Sequence, residues 1–128
     1  GLEDARSGLV AVSSDRQELW APPTETRLEP APPALLLSVF DEYVAGYRDR
    51  SAICPPRYWK VLEGLGNALH HILVIDGLIV GTWRRTLTKT AVEIELAPLR
   101  RLSAGEKRAI KAEAGRFGGF LGLPVEIE

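Results

Sequence analysis

Methionine is absent from this chain of 128 residues, and cysteine occurs once, at Cys54. A single thiol excludes an internal disulfide. One cysteine and two histidines cannot close a structural zinc site built from Cys and His alone. No apolar run approaches the ~20 residues needed to span a bilayer. No charged start leads into an apolar stretch, so no signal peptide is read and a cytoplasmic location is expected. An excess of charge of one sign is missing too: 16 Lys+Arg against 17 Asp+Glu give a formal net charge of −1, with no global pull toward nucleic acid or anionic lipid. The missing methionine suggests a piece of a longer protein. The rest is ordinary for one globular domain, 45% hydrophobic and 26% charged, and long enough to bury a core. No internal repeat is detectable.

The charge is unevenly spread. Residues 1–42 hold three basic and eight acidic groups, net −5, and residues 43–128 hold thirteen and nine, net +4. A local basic face is therefore permitted in the second part. Leu2–Val12 reads as a short helix or the tail of one, weakened by Ser7 and Gly8, and Arg16–Trp20 as a short extended segment. Residues 21–33 contain five of the nine prolines, which block helix and ladder pairing, so this is a linker or a wrapped surface stretch. Leu35–Leu37 is a short apolar run, Asp49–Pro56 a loop, and Pro56 can start a short helix through Leu62.

The strongest local signal is HHILVIDGLIVGTW, residues 70–83. Asp76-Gly77 between two apolar, β-branched runs predicts a two-residue hairpin turn with φ > 0 at both positions. It pairs Ile75 with Leu78, Val74 with Ile79, Leu73 with Val80, Ile72 with Gly81, His71 with Thr82 and His70 with Trp83. Both faces are apolar near the turn, so both should be covered. After Arg84, Arg85 and a turn near Thr86–Lys89, Val92, Ile94 and Leu96 alternate with Glu93 and Glu95 as a half-buried strand. Ser103 and Glu106 form a capping-box pattern. The helix behind it runs to about Leu121, with Ile110, Ala114, Phe117 and Leu121 as its apolar stripe and Lys107, Arg108, Lys111 and Arg116 as a charged side. Gly118, Gly119 and Gly122 loosen its end, and Pro124–Glu128 closes as a short strand. The fold class is α+β: an antiparallel β-meander with a C-terminal helix packed on it and short helices.

Each chemical candidate has a plainer reading. His70 and His71 point to opposite faces of a strand and cannot chelate one ion together, which leaves packing or hydrogen bonding. Cys54 precedes Pro55-Pro56 with no base at a useful spacing and reads as an inert thiol. Gly64-Leu65-Gly66-Asn67 lacks the Lys-Ser/Thr of a phosphate loop and reads as a turn. Arg84 and Arg85 beside Trp83 suit phosphate contact and stacking, or cross-strand pairing with Glu93 and Glu95, and alternation allows at most one of them to share the glutamates' face. Lys89 sits at the same hairpin end. VFDEYVAGYRDRS, residues 39–51, is the densest cluster. It reads as a polar network of Asp41, Glu42, Tyr43, Tyr47 and Asp49, with Arg48 or Arg50 forked onto Asp41 or Asp49 and the tyrosine hydroxyls paired. Direct nucleic-acid contact by Arg48 and Arg50 is the alternative.

VFDEYVAGYRDRS and HILVIDGLIVGTWRRTL, in this order, resemble the C-terminal part of the winged-helix DNA-binding proteins of the AlkZ-like DNA glycosylase family. The helix start at Ser103 and the ending FLGLPVEIE fit as well, so the resemblance covers most of residues 35–128, and the opening EDARSGL resembles the end of a winged-helix unit. It implies tandem winged helices followed by a β-rich, barrel-like C-terminal domain and, in active members, hydrolysis of the N-glycosidic bond of alkylated or cross-linked bases. The family's catalytic signature is Gln-apolar-Gln or Gln-apolar-Asp. The one glutamine here, Gln17, is followed by Glu18-Leu19, so no catalytic residue carries over and the isolated chain is expected to release no base. The sequence also departs from the family's Gly-Asn-Gly phrase and following proline at Gly66-Asn67-Ala68 and His70-His71.

These readings give an expected layout of residues 1–20 as the end of a winged-helix unit, 21–34 as a Pro-rich linker and 35–128 as a β-rich C-terminal domain. The expected role is an accessory domain of a DNA-binding protein, with a repair glycosylase as the candidate parent, contacting duplex DNA through Arg84, Arg85, Lys89, Arg48 and Arg50. No catalytic residue, metal, cofactor or membrane partner is read. A structural or protein-interaction module without a nucleic-acid role is the alternative, favoured by the acidic first third. A stand-alone enzyme has only the carboxylates of residues 41–49 behind it.

Overall fold

A computed structural model describes residues 8–14, 17–23, 30–46, 48–65 and 71–128. The chain divides into two compact units, Gly1–Pro30 and Ala31–Glu128. In the first, strands β1 (Val10–Ser14) and β2 (Gln17–Ala21) pair antiparallel, Val12 opposite Leu19. This corrects the helix expected up to Val12: Val10 and Val12 share one strand face and pair across to Ala21 and Leu19, a period of two that overrides the weak helical spacing. The rest of that expectation, residues 1–7, lies outside the described residues.

The second unit is one five-stranded sheet in the order β3-β4-β5-β6-β7. Its strands are β3 (Ala34–Leu37), β4 (His71–Ile75), β5 (Leu78–Leu87), β6 (Val92–Pro98) and β7 (Val125–Ile127). Strands β3 to β6 form the antiparallel meander, while β7 returns parallel to β6. The sheet is curled. Two short helices, α1 (Glu42–Ala45) and α2 (Pro56–Gly64), precede β4, and the long α3 (Ala104–Leu121) separates β6 from β7. Among the described residues, no helix is long and apolar enough to cross a membrane.

Asp76 and Gly77 have φ of 48° and 75°, the backbone a two-residue hairpin turn requires. Gly77→Val places a β-branched side chain at that dihedral and is expected to cost about 1–2 kcal/mol, read as a lower urea midpoint. The first two pairs, Ile75–Leu78 and Val74–Ile79, fall as the turn dictates. Beyond them a bulge between Leu73 and Val74 shifts the register, so Leu73 meets Gly81, Ile72 meets Thr82 and His71 meets Trp83. The pairs expected from strict alternation are wrong there by one residue. The shift has a visible use: Ile79 N–H donates to Ile53 O at 2.7 Å, and Val80 O accepts from Leu99 N–H at 2.8 Å.

Both faces of the hairpin are covered. On one, Leu73, Ile75 and Val80 pack with Ala34, Leu102 and Ile110 of α3. On the other, Ile72, Val74 and Ile79 pack with Cys54 and Leu62, with Tyr43, Tyr58 and Trp59 around them. Farther along β5, Trp83, Val92, Ile94 and Ala114 form a third cluster with Phe117 and Leu121.

Helix α3 starts on the expected capping box: Ser103 Oγ accepts from Glu106 N–H at 3.2 Å, and Glu106 Oε2 accepts from Ser103 N–H at 2.7 Å. The Arg100 guanidinium forks onto the same carboxylate at 2.6 and 3.1 Å. Arg100 first, then the Ser103 N–H, hold the Glu106 carboxyl down from an ordinary 4.5 to about 2. A lowered carboxyl stabilises the fold fully above its unfolded pKa, and the contribution disappears as pH falls through the folded value. Thermal melts between pH 4.5 and 2 are therefore expected to fall more steeply for the wild type than for Glu106→Gln. The helix ends at Gly122, φ 69°, and Leu123 N–H donates back to Gly118 O at 3.0 Å. The terminal glycines do not simply loosen the helix. Gly118 is buried, and a Cβ there would stand 2.7 Å from Leu123 O.

Candidate nucleic-acid interface

Strand β5 runs past the covered core, and residues Arg84 to Thr90 are all exposed. Trp83 ends the buried stretch. Its indole N–H donates to Leu37 O at 3.0 Å, and its ring meets His71 and Phe117 edge-on, with centroids 4.7 and 5.7 Å away. Arg85 shares the face of Trp83 and lays its guanidinium over the Phe117 ring, 5.4 Å from the centroid. Arg84 is on the opposite face, directly across from Glu95, while Thr86 lies across from Glu93 and Glu93 beside Glu126. Arg84 is thus the residue that shares the glutamates' face. Even so, among the described residues neither Arg84, Arg85 nor Lys89 forms an ion pair. A cavity of about 250 Å³ is lined by Arg84, Arg85, Glu93, Glu95 and Glu128.

The cluster of residues 39–51 is polar, but it is not joined as the sequence suggested. Asp41 caps α1 by accepting from Tyr43 N–H at 3.0 Å. Asp49 accepts from Ser51 N–H at 2.9 Å, and that bond holds its carboxyl below the usual range. Arg50 donates from Nε to Val44 O at 2.7 Å and stacks 4.6 Å over Trp59. The expected arginine–aspartate fork is therefore absent among the described residues: backbone groups satisfy both partners first. Tyr43 packs against the core and donates its hydroxyl to Gly77 O at 2.6 Å, so one of the two tyrosine pairings is present. Tyr47 lies outside the described residues. Glu42 and Arg48 are exposed. Beside the cluster, a cavity of about 190 Å³ opens next to Phe40, Asp41, Arg50 and Trp59.

Burial pushes the Cys54 thiol up, away from the reactive thiolate. Burial, then the charge of Arg85, pushes His71 down, and its ring packs against Trp83. His70 lies outside the described residues. Among the described residues, no three His, Cys, Asp or Glu side chains gather as metal ligands.

The charged side of α3 was visible in the sequence but had no place among the candidate contacts. Lys107, Arg108 and Lys111 are exposed and form no ion pair among the described residues. Glu106 is occupied by Arg100, and Glu113 pairs with Arg116 at 3.3 Å. The periodicity that marks the buried stripe also marks this face, so its signal is the absence of acids at the intervening outward positions.

The fold is thus an α+β half-barrel, a curled and mostly antiparallel sheet closed on one face by a single long helix. A family model described as DNA glycosylase AlkZ-like matches residues 1–120, and the chain belongs to that family. Among solved structures, Streptomyces sahachiroi DNA glycosylase AlkZ has the same fold, with a TM-score of 0.68 and 21% identity. The alignment covers 99% of this chain but only 35% of AlkZ. No curated protein sequence matches this chain.

Proposed function

We propose that this chain is the C-terminal accessory part of a cytoplasmic DNA-repair protein of the glycosylase family. It adds phosphate contacts to a duplex and holds no catalytic motif of its own. The observation that carries this reading is the exposed end of the β5–β6 hairpin, where Arg84, Arg85 and Lys89 stand without ion-pair partners among the described residues. Arg48 and Arg50 are secondary candidates, because the Arg50 guanidinium is partly occupied by Val44 O and Trp59. The hairpin of Val10–Ser14 and Gln17–Ala21 has the form of a wing, which supports residues 1–20 as the end of a winged-helix unit and 21–34 as the linker to a domain of residues 35–128. Contacts of this kind position a protein without reading sequence. The glutamates around Arg84 favour a second reading, a structural module in which Arg84 balances the charge of Glu93, Glu95 and Glu126.

Duplex binding measured by fluorescence anisotropy across a salt series separates the two. Arg84→Ala with Arg85→Ala is expected to weaken binding uniformly across sequences and to make the log–log salt slope shallower by roughly 1–2 units, since each lost phosphate contact retains its counterion. Identical slopes and affinities for wild type and double variant overturn the DNA reading of the hairpin end.

A further inference from the structure

The outward face of α3 has a composition that the domain's own packing does not explain. Helical spacing places Ala104, Arg108, Lys111, Ala112, Gly115 and Gly119 along it, with Lys107 on its flank, and all are exposed. No acidic residue of the helix itself interrupts this face: its two carboxylates, Glu106 and Glu113, are engaged by Arg100 and Arg116, and Glu128 borders only the flank, in the cavity that Lys107 and Lys111 also line. Three cations without ion-pair partners among the described residues therefore concentrate on a chain whose formal net charge is −1. A Cβ added to Gly115 or Gly119 meets nothing within 4 Å. Glycine weakens a helix interior relative to alanine, and among the described residues no neighbour requires it at either position.

We infer that this face is a second contact surface for the phosphate backbone of duplex DNA, made by Lys107, Arg108 and Lys111 around a low floor of Ala112 and Gly115. The inference rests on the DNA-binding reading of the chain. A protein partner fits less well, because interface cores are anchored by clusters of large apolar or aromatic side chains; this face carries none larger than alanine between Ala104 and Gly119, and the exposed Phe120 stands alone beyond its end. A row of phosphates needs what is present: mobile cations and no side chain standing between them and the helix. The surface is distinct from the hairpin end, so the two contribute separately to the counterions released.

The test uses the 128-residue chain, a short fluorescein-labelled duplex of random sequence and a salt series. Lys107→Ala, Arg108→Ala and Lys111→Ala combined are expected to make the log–log slope shallower by roughly 2–3 units and to lower low-salt affinity at least about tenfold. Lys107→Arg with Lys111→Arg keeps both. Gly115→Leu, a better helix former facing open space, is expected to retain or raise the melting temperature while weakening binding several-fold, which a loss of folding cannot mimic. If the wild type binds with a slope that depends on Arg84 and Arg85 while the triple variant and Gly115→Leu bind as the wild type does, this inference is overturned and the hairpin reading stands. No salt-dependent binding by the wild type overturns both.

Discussion

Trp83→Ala is expected to remove about 3–5 kcal/mol, the range for emptying a large aromatic site in a core. That is a fifth or more of the stability of an ordinary domain, about 5–15 kcal/mol. Trp83 is 3% exposed and joins three parts of the fold. Its ring packs with Val92 and Ile94 of β6 and Ala114 of α3, its edge contacts reach His71 and Phe117, and its N–H ties Leu37 at the end of β3 to β5. Trp83→Phe keeps much of the volume and gives up the bond to Leu37 O, so it should cost about 1 kcal/mol from the hydrogen bond plus a smaller packing loss. Urea midpoints with unchanged m-values measure both. A Trp83→Ala midpoint close to wild type would mean that the third cluster does not hold α3 to the sheet.

Gly81→Val is expected to cost about 3 kcal/mol, at the upper end for forcing volume into a packed site. A Cβ on Gly81 would stand 2.6 Å from Ala97 O and 2.8 Å from Pro98 Cα. Both are backbone, so β6 must separate from β5 or the bulge must move. Gly119→Ala is the internal contrast: its Cβ enters open space, and the helix gains about 0.5–1 kcal/mol from alanine's propensity. Opposite signs at two glycines of the same domain, read by thermal denaturation, separate a steric requirement from a general effect of removing glycine.

Local chemistry made much of this fold legible. Asp76-Gly77 fixed the hairpin because few residues accept φ > 0 twice in succession. Ser103 and Glu106 marked the start of α3 because each satisfies the other's backbone N–H. The alternation of Val92, Ile94 and Leu96 with Glu93 and Glu95 is a period that a strand alone explains. What stayed hidden depends on distant partners. The bulge at Leu73–Val74 answers to Ile53 and Leu99, which meet β5 only in the folded chain. The parallel placement of β7 depends on where α3 delivers it. The hairpin of residues 10–21 was missed because Leu2, Leu9 and Val12 mimic helical spacing.

At the candidate site, residue types were legible and partners were not. Opposite charges close in sequence suggest a fork of Arg48 or Arg50 onto Asp41 or Asp49, and for Arg50 and Asp41 the competing partners can be named. Backbone groups, Val44 O for the one and Tyr43 N–H for the other, are nearer in space. Arg84 and Arg85 were correctly placed on opposite faces, since alternation is a property of the strand itself. The sequence marks the cations of α3 only as a charged side, which is what an exposed helix face ordinarily is, and it is the lack of ion-pair partners for Lys107, Arg108 and Lys111 among the described residues that sets them apart.

The most direct measurement is a ¹⁵N NMR titration of the chain with a short duplex at low salt, repeated on a second, unrelated sequence. The amides of Arg84 to Lys89 and of Lys107 to Lys111 are expected to shift or broaden with both duplexes and to return toward their free positions as salt is raised. No perturbation, or perturbation confined to the face of Glu93, Glu95 and Glu126, would contradict the assignment of this domain to the DNA backbone.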